Sequence, residues 1–332
     1  MSEFYDTIPA PARQAELDDS NSIEVLVDKS STGRERPWRA KKMANEALAE
    51  AYEPVNPRKA ERLRSCGCFL SFSILEDGSK KLKTMCSCRV RLCPICTWRR
   101  SMKVQSHTLT ILNAVNDKYA YLFLTLTVRN CTGAELSGTL DLLMDAWQRL
   151  SERKKFKAAV KGWYRGLEVT HNTDRDSPSF DTYHPHFHVI LAVNPSYFTS
   201  RNYVKQDEWK ELWKKSLRAD YDPVVDVRRV KGCTAKAVAE AAKYSTKEDD
   251  YIVPTDWELT VETVRTLDAA LDQRKLVAYG GVMKQLHKQL NLDDEETGDL
   301  INVDSEDSTA APTERVESYF WNTGYRQYVR HS

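Results

Sequence analysis

One stretch, His184-Pro185-His186-Phe187-His188, running directly into Val189-Ile190-Leu191-Ala192-Val193, constrains the fold of this chain more than any other. The apolar run reads as a buried strand. In a strand successive side chains alternate faces, so His186 and His188 must point the same way while Phe187 turns into the opposite layer. Two imidazoles on one face of a sheet are half of a metal site, and whatever strand lies alongside has to supply the rest.

The neighbouring segments fit a sheet of this kind. Tyr121 to Val128 is short, β-branched and aromatic and reads as a first strand. Trp163 to Thr170 reads as a second, with the histidine strand, 186–193, as the third, across a polar loop over 172–183. Leu136, Leu140, Leu143, Met144, Trp147 and Leu150 recur at helical spacing. Further helices are expected over 207–217 and 234–245, with a strand over 224–230 between them. Strands and helices without strict βαβ alternation predict an α+β fold, a central and largely antiparallel sheet carrying helices on one face.

Length and charge set the outer limits. The 332 residues, 41% of them hydrophobic, suffice for a sizeable core plus a smaller module. No apolar run approaches a membrane span and the N-terminus is acidic rather than signal-like, so a cytoplasmic protein is expected. The net charge of +1 conceals segregation. Basic residues crowd 58–104, whereas Asp293, Asp294, Glu295, Glu296 and Asp299 crowd a later segment. The expected divisions are a mobile N-terminal tail over 1–57, with a short strand conceivable at 23–27, and a basic module over 58–104. A catalytic domain over 105–253, a helical extension over 254–300 and an acidic linker with C-terminal tail over 301–332 complete the chain.

Six of the eight cysteines fall in the basic module, as Cys66-x-Cys68, Cys86-x-Cys88 and Cys93-Pro94-Ile95-Cys96. In a reducing compartment such pairs present thiolates tetrahedrally to zinc rather than forming disulfides. One ion needs four ligands. Cys66, Cys88, Cys93 and Cys96 are the expected set, with Cys68 and Cys86 as alternates. Arg89, Arg91, Arg99 and Arg100 around this structural zinc suit DNA phosphates, although a solvated basic face is the plainer reading.

Histidine pairs on strands are often merely packed, and three further features argue for chemistry. Glu168 sits in the otherwise apolar Gly166-Leu167-Glu168-Val169, where a buried carboxylate needs a cation or hydrogen-bond partner, and it is the expected third ligand. Thr125, Thr127 and Asn130 end the first strand with groups suited to substrate contacts. An alanine-rich helix capped by Thr234 places Glu240, Tyr244 and Lys247 on one face. Without the histidines, that would be an ordinary surface helix. Tyr251, seven residues beyond Tyr244, offers a second phenol but ranks lower, since Lys247 rather than a carboxylate precedes it by one turn. Trp163, Tyr164, Trp209 and Trp213 could stack on unpaired bases, but core packing is the commoner role of such residues.

Taken together, Phe123–Asn130, His184–Leu191, Glu240–Lys247, the cysteine segment Cys88–Arg100 and Tyr279-Gly280-Gly281 resemble the HUH endonucleases, and more closely the rolling-circle replication initiators of small Gram-positive plasmids. The resemblance spans about residues 58–295. It implies Tyr244 as the nucleophile, attacking origin DNA that is single-stranded at the nick, to give a 5′-phosphotyrosine and a free 3′-OH primer. His186, His188 and Glu168 would hold Mn²⁺ or Mg²⁺, and Lys247 would assist at the phenolate or the phosphate, or else form a salt bridge to a nearby acid. Glu240 would act as general base for a terminating water. A host replicative helicase of the PcrA type is the implied partner. The competing readings are an HUH transposase or relaxase, and a non-catalytic zinc-dependent DNA-binding repressor. A relaxase would usually place its tyrosine ahead of the histidines, whereas Tyr244 follows them.

Overall fold

A computed structural model describes residues 24–30, 32–115, 118–230, 238, 247–303 and 310–331. Two antiparallel sheets and eight α-helices are formed by these residues. The central sheet has five strands in the order β6-β3-β5-β4-β7: β3 (Ala120–Thr127), β4 (Val160–Asn172), β5 (Thr182–Val193), β6 (Val225–Arg229) and β7 (Val277–Gly280). Every pairing in it is antiparallel.

Alternation sorts β5 onto two layers, as its sequence requires. Phe187, Val189, Leu191 and Val193 enter the larger apolar core beneath α4 (Gly133–Glu152) and α6 (Gln206–Leu217). Helix α4 buries Leu136, Leu140, Leu143, Trp147 and Leu150, and starts with a reciprocal cap between Thr132 and Glu135. Ile190 and Ala192 point the other way, into a second cluster with Tyr121, Phe123, Tyr164 and Met283. That cluster is closed by Val104, Ile111 and Leu112 of α3 (Pro94–Asn113) and by α8 (Gly281–Gln289). Helices therefore cover both faces of the sheet, not one: both faces of β5 are apolar over 189–193, so each needs a lid. The short α5 (Lys154–Ala159) leads straight into β4.

The expected divisions of the chain also need correcting. Within the supposed N-terminal tail, α1 (Trp38–Tyr52) buries Trp38, Leu48 and Tyr52, and α2 (Pro57–Ser65) is capped by Asn56. Asp28 accepts from Trp38 Nε1 at 2.7 Å and from Arg36 at 2.8 Å, so order begins well before the helix. The C-terminal tail is equally built in. Strands β8 (Pro312–Asn322) and β9 (Gln327–Arg330) join β1 (Phe69–Leu75) and β2 (Lys80–Met85) in a second sheet, ordered β2-β1-β8-β9. Val25, in the stretch where a short strand was conceivable, bridges to Val329 of β9. The cysteine-rich module is thus completed by residues far along the chain, as the pairing of Ser71 with Ser318, 247 positions away, illustrates.

The extension over 254–300 is not purely helical. It contains α7 (Trp257–Leu271), but its apolar run over 275–279 adds β7 to the edge of the central sheet against β4. The glycine pair that follows is sterically required. A Cβ on Gly280 would lie 2.1 Å from the Trp163 ring, and Gly281 has φ +56° with the Lys161 carbonyl oxygen 2.2 Å from where its Cβ would be. No helix among the described residues is long and apolar enough to cross a membrane.

Candidate active site

Strand register builds the site. His186 lies opposite Thr127 on one side and Glu168 on the other, and His188 lies opposite Thr125 and Gly166. The three chemical groups therefore meet on one face of β5 and β4, the face that also carries Ile190 and Ala192. Glu168, His186 and His188 are all buried, with ligand atoms within 4.8 Å of one another. His188 Nε2 is 2.9 Å and His186 Nε2 3.4 Å from Glu168 Oε2, and the two Nε2 atoms are 3.2 Å apart.

The far nitrogens decide what those near ones can do. His186 Nδ1 donates to the His184 carbonyl at 3.1 Å, and His188 Nδ1 lies 3.4 Å from Thr125 Oγ1. With Nδ1 as the donor, His186 presents its Nε2 lone pair towards His188 and the carboxylate, and His188 does the same in the tautomer that donates from Nδ1 to Thr125. In that tautomer three acceptors crowd one buried space and favour a cation among them. The donor set, two imidazoles and a carboxylate, fits a divalent ion with open positions.

Electrostatics favour the ionised carboxylate. Burial works against it, but the contacts with His186 and His188 and the charge of Lys247 outweigh burial and hold the Glu168 carboxyl far below the usual carboxylate range. Lys247 Nζ is 3.2 Å from Glu168 Oε1. Burial, and then the neighbouring His186, lower the pKa of His184, whose Nδ1 lies 2.8 Å from Asn130 Oδ1. His184 is thus oriented by the end of β3 rather than simply packed.

Other expected site residues divide into those at this centre and those elsewhere. Thr125 and Asn130 stand against the histidines, while Thr127 Oγ1 donates to the Val224 carbonyl at 2.9 Å and ties β3 to the chain entering β6. Glu240, Tyr244 and the helix expected over 234–245, except Val238, lie outside the described residues. Val238 is fully buried in the apolar cluster on the histidine face. Tyr251 is buried and donates to the Leu92 carbonyl at 2.8 Å, so its hydroxyl serves packing. Tyr164, Trp209 and Trp213 are buried too, and Trp213 Nε1 donates to Thr127 O at 2.8 Å.

Asp250 is a residue that sequence reasoning missed. Burial, with Glu168 adding its charge, pushes its carboxyl up to about 6 against the opposing hydrogen bond from the Lys247 backbone. The only signal was its place three residues after Lys247 in Lys247-Glu248-Asp249-Asp250, a run that reads as solvated charge.

The cysteine cluster is a second centre. Cys66, Cys88, Cys93 and Cys96 converge with all four sulfurs within 4.8 Å, whereas Cys68 and Cys86 stand outside. Separations of 3.5 Å (Cys66–Cys93), 3.6 Å (Cys66–Cys96) and 3.8 Å (Cys88–Cys96) match the roughly 3.8 Å that tetrahedral zinc–sulfur bonds of about 2.3 Å would give. Backbone N–H groups of Cys88, Arg89 and Val90, each at 3.4 Å, point at these sulfurs, as does Asn45 Nδ2 at 3.3 Å, a shell that favours thiolates.

The basic residues around it face inward more than expected. Arg99 is fully buried, donating to the Leu300 carbonyl at 2.9 Å and the Ile301 carbonyl at 2.7 Å. Arg100 is buried and reaches the Arg89 carbonyl. The expectation that these two contact DNA is corrected: their guanidiniums hold the protein together. Arg89 remains exposed while donating to Thr297 O, and Arg91 pairs with Glu296. The acidic segment identified in the sequence thus folds back onto the basic module.

Comparison with known proteins agrees with the motifs. Residues 79–329 match the family described as replication protein. A Rep protein of Bacillus amyloliquefaciens is 41% identical, aligning with 93% of this chain and 98% of its own length. A Rep protein of Streptococcus pneumoniae is 37% identical over 93% of this chain and 96% of its own, and one of Lactiplantibacillus plantarum 38% identical over 89% and 94%. No solved structure matches.

Proposed function

Because the chain belongs to the replication protein family, as a Rep protein of the rolling-circle plasmid kind, we propose that it initiates copying by nicking origin DNA with Tyr244, in the manner of an HUH endonuclease. The phenol oxygen attacks the scissile phosphorus and the bond to the 3′ oxygen breaks. The phenol gives up its proton as it attacks, the leaving 3′ oxygen takes one up, and the products are a 5′-phosphotyrosine and a 3′-OH that primes synthesis. The observation that carries this reading is the convergence of His186 Nε2, His188 Nε2 and Glu168 Oε2, with both Nδ1 atoms already engaged.

These three residues would hold Mn²⁺ or Mg²⁺, which when bound polarises the scissile phosphate and offsets its developing charge. Thr125 fixes the orientation of His188, and His184 with Asn130 forms the polar rim where the strand enters. Chain connectivity supports Tyr244 as nucleophile. It lies three residues before Lys247 in the sequence, and the Lys247 ammonium is 3.2 Å from Glu168 Oε1. Lys247 stabilises a phenolate or a phosphate oxygen. Glu240 serves as base for the water that ends the round. Zinc in the Cys66–Cys88–Cys93–Cys96 cluster is structural, and Arg89 and Arg91 line an adjoining cleft of about 510 Å³ with Lys59 and Arg62, suited to backbone phosphates of origin DNA. A host helicase of the PcrA type then unwinds ahead of the primer.

The test is mass analysis after reaction with a single-stranded origin oligonucleotide and Mn²⁺, alongside nicking of a supercoiled origin plasmid. A covalent adduct on Tyr244 and loss of nicking with retained DNA binding in Tyr244→Phe are expected. Nicking by that variant at the wild-type rate, or an adduct on another residue, would overturn the assignment.

A further inference from the structure

A third cluster of metal-ligating side chains lies apart from both centres. His107 on α3, His287 on α8 and Glu295 in the acidic segment bring three ligand atoms within 4.8 Å of one another. His107 Nδ1 is 3.1 Å and His287 Nε2 2.7 Å from Glu295 Oε1. Glu295 is buried, and the two histidine side chains are 13% and 19% exposed. We propose that His107, His287 and Glu295 bind a divalent transition-metal ion of the zinc type, which staples the acidic segment to α3.

The donor set is that of a two-histidine, one-carboxylate zinc site. Bonds of about 2.0–2.2 Å to such an ion need ligand atoms roughly 3–3.6 Å apart, which slight outward motion from the observed spacings provides. The surroundings add a feature that packing alone does not call for. The other ring nitrogen of His107, Nε2, lies 3.4 Å from Asp293 Oδ1, the carboxylate–histidine arrangement that fixes a ligand's tautomer and raises its basicity. Asp293 is itself held by Lys103. The ring of His287 rests against Tyr279, with centroids 5.1 Å apart, and Tyr279 Oη is 3.0 Å from Thr108 Oγ1 on α3, which restricts the second imidazole.

The three ligands come from three separate elements, so the ion would close a loop that apolar contacts close only in part. Helix α3 begins at the cysteine cluster, and the acidic segment already meets it through Asp293–Lys103 and the Arg99 contacts with Leu300 and Ile301. A metal at Glu295 would make that attachment conditional on the ion.

Zinc content of the full-length protein, measured by elemental analysis after equilibration with Zn²⁺ and removal of excess, tests the assignment. The His107→Asn/His287→Asn double variant should lose one equivalent relative to wild type. The same loss should occur in a background carrying His188→Ala, which separates this site from the strand histidines. Replacement with Co²⁺ should leave the thiolate charge-transfer band of the cysteine cluster at full intensity, verifying that the variant is folded. Single His107→Asn, which leaves Glu295 its partner in His287, guards against misfolding of the double variant and should also lower occupancy. Unchanged zinc content in folded variants would overturn the proposal, leaving the three residues as a network of charged hydrogen bonds.

Discussion

The cysteine cluster and the strand-histidine cluster are both buried groups of metal-ligating side chains, and they differ in what surrounds them. Four sulfurs converge, the full ligand count of a structural zinc, and backbone N–H groups face them. Nothing remains for a substrate to occupy. The histidine cluster has three ligands, a lysine that is half exposed, and a titratable aspartate nearby. A closed set suits holding a fold together and an open set suits chemistry. The two can be told apart by what each loses when broken.

Cys93→Ser should have the largest effect. Cys93 is fully buried at the N-terminus of α3 and within reach of Cys66, so its loss removes a ligand and leaves a hydroxyl among thiolates. Structural zinc contributes on the order of 10 kcal/mol to small zinc modules. Here we expect loss of the bound zinc and unfolding of the α1–α2, β1–β2 and β8–β9 region. Proteolysis and thermal melting would report it, and an unchanged melting temperature would break the comparison.

His188→Ala should do the reverse. It opens space beside Glu168 and removes one ligand, leaving the apolar layer under Phe187 intact. We expect the proposed nicking to fall about 10³-fold, corresponding to several kcal/mol of lost transition-state stabilisation. Stability should change by less than about 2 kcal/mol. Denaturant unfolding paired with a plasmid-nicking assay checks both halves. A variant that unfolds as readily as Cys93→Ser would show that this cluster, too, holds the structure together.

Much of the open cluster was legible in the sequence because a strand has only two faces. His186 and His188 had to share one, and a carboxylate in Leu167-Glu168-Val169 had to find a partner. The four-ligand limit called for four of the six clustered cysteines, and the expected Cys66, Cys88, Cys93 and Cys96 converge, but spacing did not set them apart from Cys68 and Cys86; only the fold does. Less legible was everything set by long-range pairing. Strand β8 reads as an exposed tail because Thr313, Glu314, Arg315 and Glu317 are polar, and only pairing with β1 makes it a strand. Glu317, its most buried charge, is paired with Lys80 across that sheet, a partner that local pattern cannot reveal. Arg99 and Arg100 read as DNA-facing because they are cationic, but helical spacing put them on the buried side of α3. There, backbone carbonyls of the distant Leu300 and Ile301 accept from Arg99, and the Arg89 carbonyl accepts from Arg100.

The smallest expected effect sharpens the contrast between the two clusters, since it concerns the titratable group beside the open one. The Asp250 carboxyl is pushed up to about 6 by burial and by the charge of Glu168, against an ordinary value of about 3.9 in the unfolded chain. Between those values the native state holds a proton that the unfolded state has released, so stability falls as pH rises from about 4 to 6 and is level above. Asp250→Asn keeps an oxygen for the Lys247 backbone N–H, which the wild-type carboxylate accepts at 2.7 Å, and removes the titration. The variant should match wild type near pH 4 and exceed it above pH 6, by less than the roughly 3 kcal/mol that a two-unit difference sets as the ceiling. Urea unfolding at pH 4.5 and 7, without added Mn²⁺, measures the gap. A gap of equal size at both pH values would mean that Asp250 ionises like a surface carboxylate, and that only the lysine distinguishes the open cluster's surroundings from those of the closed one.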